Sequence, residues 1–285
     1  MRNTRLAQGS GSFLPRVQKL QSIKLGLLGA TAIGLMLLTG CVDAPSKDRL
    51  NEGYHALDAQ RYDEAGAAAN DYLTKHPTGP GAAEAYYLQG RAYESRSVES
   101  HEAQSAARAD LDAARIAYNK GLTLQASPAV KALLHSGLAN VAYFQENYAI
   151  AADEWQAAYP NLKDQDAKAW ALYRIGLSQQ RLGAFKQADD TFTLVQEQFP
   201  SSEAAGRATT RIGAKAFYVQ IGAYESAANA QKTVDTLARS GLPTSSIPEA
   251  ANRHVVRVGP AATYADAKTL RSRVIGEYPQ AIILP

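Results

Sequence analysis

Four polar side chains near the C-terminus, Tyr218, Gln220, Arg253 and Arg257, are the residue types from which a receptor for a polyhydroxylated polymer is built. A planar amide and two guanidinium forks suit hydroxyl groups, and a tyrosine ring offers an apolar platform to a sugar ring. Val255 lies between the two arginines in the same alternation. These residue types also suit a second reading, the wet face of a half-solvated sheet with no ligand. No reaction chemistry accompanies them. The five histidines, His55, His76, His101, His135 and His254, lack metal-ligand spacing, and no phosphate loop or nucleophile elbow is present. The acidic pairs Asp63/Glu64 and Asp189/Asp190 read as solvated helix faces rather than a glycosidase dyad. The expectation is a binding protein with no cofactor and no metal, not an enzyme.

The elements that must position these residues are legible from periodicity. Phe217, Val219 and Ile221 alternate with Tyr218 and Gln220, and Val256 and Val258 alternate with Arg253, Val255 and Arg257. Both stretches read as strands with one buried face. Ala230, Val234, Leu237 and Ala238, then Ala267, Leu270, Val274 and Ile275, recur at helical spacing. Gly241 ends the first helix. Thr263 and Asp266 open the second in capping-box spacing, and Gly276 stops it before Pro279. A weak strand at Ser245–Ile247 and a final one at Ala281–Leu284 complete the order β-α-β-β-α-β. Right-handed crossovers place both helices on one face of a four-stranded antiparallel sheet, with the first and third strands central and the other face open.

Within residues 214–285, Val219-Gln220-Ile221-Gly222-Ala223-Tyr224, Asn229-Ala230 and Arg257-Val258-Gly259-Pro260 resemble, in order, the SPOR (sporulation-related repeat) domain. The resemblance implies a small ferredoxin/RNP-like α+β domain that binds peptidoglycan glycan strands stripped of their stem peptides. It implies a site on the open sheet face, at Tyr218, Gln220, Arg253, Val255 and Arg257. The chain has Ala223 where the family often has Ser, and Val255 where it commonly has Arg.

Residues 47–213 are rich in Ala, Leu and Tyr and contain an internal repeat. Gly53, Gly90, Ala139 and Gly176 hold equivalent points, and Ala65, Ala114, Ala151 and Ala188 follow in second helices, the second unit carrying an insertion near Ser97–Asp110 that reads as a solvated loop or helix extension. Gly183, Phe185, Ala188, Phe192 and Pro200 mark the clearest unit. The pattern resembles the tetratricopeptide (TPR) repeat, and Ser202–Gly213 reads as a capping helix. The fold class is therefore multidomain, an all-α TPR-like solenoid followed by the small α+β domain. Repeat positions place Tyr54, Tyr87, Arg91, Asn140, Tyr143, Trp170 and Tyr173 along a groove suited to a peptide of an unidentified protein partner. Packing between repeats is the competing reading of the same stripe.

Residues 1–40 carry five basic side chains, no acidic one, and an apolar run from Leu25 to Leu38, too short to span a bilayer but right for a signal-peptide core. Leu38-Thr39-Gly40-Cys41 resembles the bacterial lipobox, which implies lipidation of Cys41 and a membrane anchor. Val42 after the cysteine implies the periplasmic face of the outer membrane, with the inner membrane as the alternative. Val42–Ser46, in the lipidated linker at 41–46, reaches only about 15–20 Å, and Ala214–Ala216 leaves almost nothing between the capping helix and the first strand, so the solenoid would act as a spacer holding the second domain semi-rigidly. Residues 41–213 carry 17 basic and 22 acidic side chains, against eight and five in 214–285, a balance that points away from nucleic acid. Together these readings describe a cell-envelope lipoprotein that binds stripped glycan strands and scaffolds partners at the septum or at sites of wall remodelling. A TPR lipoprotein of outer-membrane assembly, or an accessory subunit of a wall hydrolase or synthase, are the alternatives.

Overall fold

The computed structural model describes residues 48–79, 81–99, 104–249 and 253–285; Cys41, its leader and its linker lie outside them. Among the described residues no helix is long and apolar enough to cross a membrane. The helical part runs α1 (Asp48–Asp58), α2 (Tyr62–Lys75), α3 (Ala82–Glu99), α4 (Gln104–Leu122), α5 (Pro128–Phe144), α6 (Tyr148–Ala158), α7 (Gln165–Arg181), α8 (Phe185–Gln198) and α9 (Glu203–Thr209). Helices pair in chain order and each pair packs on the next, with α9 closing against α7 and α8.

Small residues set how closely the helices approach. Ala65, Ala114, Ala139, Ala151 and Ala188 are completely buried. Gly90 and Gly137 clasp the ring of Tyr118 from two sides, and a Cβ at either would overlap it. The turn inside three of the pairs is also repeated. Gln60, Glu146 and Gly183 each take a left-handed conformation, φ 60°, 63° and 84°. The next residues, Arg61, Asn147 and Ala184, donate N–H bonds of 2.8, 2.8 and 2.9 Å to the carbonyls of Ala56, Ala142 and Gln179, closing each first helix. The insertion in the second pair prolongs α3 and α4. Arg96 ties the two by a fork on Asp110 at 2.8 and 2.6 Å, and reaches Asp63 of α2 at 2.6 Å.

The C-terminal domain runs β1 (Phe217–Tyr224), α10 (Ala227–Arg239), β2 (Thr244–Glu249), β3 (Arg253–Ala261), α11 (Tyr264–Val274) and β4 (Ile282–Leu284). The strand order is β2-β3-β1-β4, every neighbouring pair antiparallel. Val219, Ile221, Val256 and Val258 are fully buried, in one cluster with Ala230 and Leu237 of α10 and Val274 of α11. Thr263 and Asp266 form the reciprocal capping box at the start of α11. A register shift between Gln220 and Gly222 inserts one extra residue in β1, so beyond it Ala223 and Val255 continue the face begun by Tyr218, Gln220 and Arg257.

The two parts meet through the intra-pair turns of the third and fourth helix pairs. Arg181 lies over the Tyr264 ring at 3.8 Å, its centroid distances to Tyr143 and Tyr148 are both 5.2 Å, and it donates to the Tyr148 hydroxyl at 2.9 Å. Phe185 meets Phe217 at 5.4 Å between ring centroids, and Phe217 meets Tyr264 at 5.7 Å. Lys268 pairs with Glu146 at 2.6 Å. A side chain at Gly183 would come within 2.6 Å of the Ala262 carbonyl oxygen. All of these contacts fall on the helical side of the sheet, so the solenoid leaves the opposite face uncovered.

Candidate functional site

The open face is a grid whose rows are register partners. One row crosses all four strands as Ile282, Gln220, Arg257 and Ser245. A second joins Leu284 to Tyr218, a third carries Ala223, Val255 and Ile247, and the last pairs Arg253 with Glu249. Tyr218 is fixed from beneath by Gly259, whose φ of 135° is closed to most side chains and whose Cβ would lie 2.9 Å from the Tyr218 ring. This is the local reason for glycine in the Arg257-Val258-Gly259-Pro260 motif. The Arg257 guanidinium then stacks on Tyr218 at 3.8 Å and its Nε donates to Ser245 Oγ at 3.3 Å. An aromatic platform, a guanidinium, an amide and a hydroxyl thus converge on one half-exposed patch, the donor set that a polyhydroxylated ligand requires.

The two arginines of the face differ. Arg253 is bound by Glu249 at 2.7 Å. Arg257 has no carboxylate in ion-pair range among the described residues. Val255 corrects the expectation of a contact residue: it shares the face but is only 6% exposed, forming floor between Ala223 and Ile247. Sequence reasoning missed Ser245, Glu249, Ile282 and Leu284. Ile282 and Leu284 are 36% and 40% exposed and give the face an apolar margin. Strict alternation through Ile282-Ile283-Leu284 would have marked them, because Ile283 packs on the helical side.

Four of the seven residues assigned to a peptide groove lie inside the helical packing rather than on a surface. Tyr87, Arg91, Asn140 and Tyr173 are buried, and Tyr54, Tyr143 and Trp170 are half-buried. Part of this row is organised by Glu94, which is fully buried and unremarked in the sequence. It accepts from the Tyr118 hydroxyl at 2.6 Å and from Asn140 Nδ2 at 2.9 Å, and Asn140 Oδ1 accepts in turn from Arg174 at 2.5 Å. This chain of bonds runs across α4, α3, α5 and α7 and engages Asn140 within the packing of the repeats. Burial holds the phenols of Tyr54 and Tyr118 well above their usual range, and pulls the Arg174 guanidinium down to about 10 against the attraction of Glu94. Among the described residues Arg91 Nε and Ser178 Oγ find no hydrogen-bond partner. Tyr143 serves the joint beside Arg181, and Trp170 stacks edge-on to Tyr173 under Arg207 of α9, 5.1 Å from its ring.

Comparison with known families agrees with this division. The SPOR domain family model matches residues 213–285, the whole sheet domain, and the tetratricopeptide repeat model matches residues 170–202, the α7/α8 pair. No curated protein matches the chain. The chain therefore carries a tetratricopeptide repeat within a helical region and a C-terminal SPOR domain. A SPOR domain suggests peptidoglycan binding and a tetratricopeptide repeat suggests protein–protein interaction; both are non-catalytic binding modules.

Proposed function

We propose that the protein is a non-enzymatic cell-envelope lipoprotein, anchored through Cys41, that docks on peptidoglycan glycan strands freed of stem peptides and holds partner proteins through its helical repeats. Outer-membrane anchoring at the periplasmic face, and work at the division septum or other places of wall remodelling, belong to this reading. The observation that carries it is the Arg257–Tyr218 stack beside Gln220 and Ser245, on a sheet face that the solenoid leaves uncovered. The short joint supports a spacer role, because the aromatic and cationic contacts around Arg181 fix the direction in which the face looks.

The test is retention of the chain comprising residues 42–285 on sacculi, intact or treated with an amidase that removes stem peptides. Greater retention on the stripped wall, reduced by Gln220→Ala and Arg257→Ala, is the expected result. Equal or absent retention would refute glycan docking.

A further inference from the structure

We propose that Arg257 reads the lactyl carboxylate that appears on each muramic acid when its stem peptide is removed; this rests on the glycan-docking reading above. In an intact strand the lactyl group is tied to the peptide as an amide. Amidase hydrolysis breaks that C–N bond, adds the elements of water and leaves a carboxylate beside the sugar. A stripped strand thus differs from an intact one by a charge as well as by bulk, and a receptor that senses the charge needs a cation with open valences.

Among the described residues the face holds one such cation. Arg253 is already neutralised by Glu249 at 2.7 Å, and Val255 puts an alkyl floor between the two arginines. Arg257 is different. Its plane is set by the Tyr218 ring at 3.8 Å, and its Nε is used by Ser245 at 3.3 Å. Its two terminal amino groups make no hydrogen bond among the described residues. A guanidinium held by its Nε and its face presents that remaining edge as a fork, the geometry that binds carboxylate by two parallel bonds. Pre-orientation by the ring lowers the entropy lost on binding.

The rest of the row matches the same sugar. Ile282, Gln220, Arg257 and Ser245 stand in register on four adjacent strands, spaced by about 4.8 Å each. The acetamido group of the muramic acid lies with its methyl on Ile282 and its amide against Gln220, and the lactyl carboxylate falls on Arg257. The site therefore distinguishes cut from uncut strands by charge complementarity, and the contact weakens with salt because it is half-exposed.

The chain of residues 42–285 is titrated with amidase-stripped glycan strands in two forms, with lactyl carboxylates free and with the same carboxylates converted to methylamides. Wild type is expected to bind the methylamide form about tenfold more weakly, the loss of one charge-assisted contact. Arg257→Gln binds the free form about tenfold more weakly and treats the two forms alike, with an unchanged melting temperature, whereas Arg257→Lys keeps the preference in reduced form. Equal binding of both forms by wild type overturns the carboxylate assignment while glycan docking stands. Binding of neither form overturns glycan docking itself. An Arg257→Gln protein that retains the wild-type preference shows that another group reads the charge, and polyphosphate competing as well as the free-carboxylate strand shows an unselective anion site; each overturns the proposal.

Discussion

The polar and aromatic row between the helix pairs and the open face of the sheet use the same residue types to opposite ends. Each combines tyrosine with arginine and an amide, yet in the solenoid most of these groups are enclosed, and on the sheet Tyr218, Gln220 and Arg257 stay half-exposed. Arg174 and Arg257 make the contrast concrete. Arg174 is buried and hydrogen-bonded to Asn140, inside a chain of bonds that ends on Glu94. Arg257 lies half-exposed on a tyrosine ring with its outer edge open. The difference is one of layer geometry. Helix pairs that approach through alanine and glycine enclose whatever lies between neighbouring repeats, whereas a sheet covered by helices on one side leaves its other side in water. Identical residue types therefore become structure in one place and a candidate ligand site in the other.

The comparison is broken most severely by Glu94→Ala. Removing this buried carboxylate takes away the attraction it exerts on the buried guanidinium groups of Arg91 and Arg174, and is expected to cost about 3–5 kcal/mol. Urea unfolding followed by helical circular dichroism checks this; a loss below about 1 kcal/mol would show that the row is wetter than the structure makes it. Alkali attacks the same region. The phenols of Tyr54 and Tyr118 are raised by burial, and that of Tyr148 is pushed up to about 12. These groups keep their protons in the folded chain while the unfolded chain releases them near pH 10, so stability falls as pH rises from about 10 towards 12. Arg174, shifted down, acts with the contrary sign in that window, but one guanidinium is outnumbered by the phenols. The helical signal should melt at lower temperature at pH 11 than at pH 8, with phenol absorbance rising as it melts.

Smaller effects sharpen the contrast at the joint and on the sheet. Arg181→Ala removes the cation shared by Tyr148 and Tyr264 and should weaken domain docking by about 2 kcal/mol. Spin labels placed on α2 and α10 would then show a broadened distance distribution, with each domain still folded; an unchanged distribution would assign the joint to Phe185, Phe217 and Lys268 alone. Tyr218→Ala should reduce glycan affinity by about 1 kcal/mol, through the lost platform and the freed Arg257, with global stability within about 0.5 kcal/mol of wild type. A large stability loss from this change would mean that the ring is core rather than site.

Much of the site is legible in the amino-acid sequence. Period-two alternation assigns Phe217, Val219 and Ile221 to the core and Tyr218 and Gln220 to the open face, and the structure keeps both assignments. The repeat of small residues from Gly53 to Gly176 locates the helix crossings, and Ala65, Ala114, Ala151 and Ala188 are completely buried there. The intra-pair turns are only one-third visible: Gly183 signals its left-handed turn, but Gln60 and Glu146 adopt the same conformation with no local mark, because the closing hydrogen bond to the first helix outweighs their steric cost. Ser245 and Glu249 stay hidden because a strand of Thr, Ser and Pro carries no apolar rhythm, and only pairing with β3 brings it to the site.

What the sequence determined by itself is local: which residues alternate, and where helices start and stop, as at the Thr263 and Asp266 capping box. What only the tertiary structure decided is which polar groups meet. Glu94 reaches Asn140 across 46 residues of chain, and Lys268 reaches Glu146 across 122. No periodicity encodes such pairings, because they depend on how whole elements stack. For the same reason only the assembled sheet shows that Arg253 is paired with Glu249 while the outer edge of Arg257 stays open.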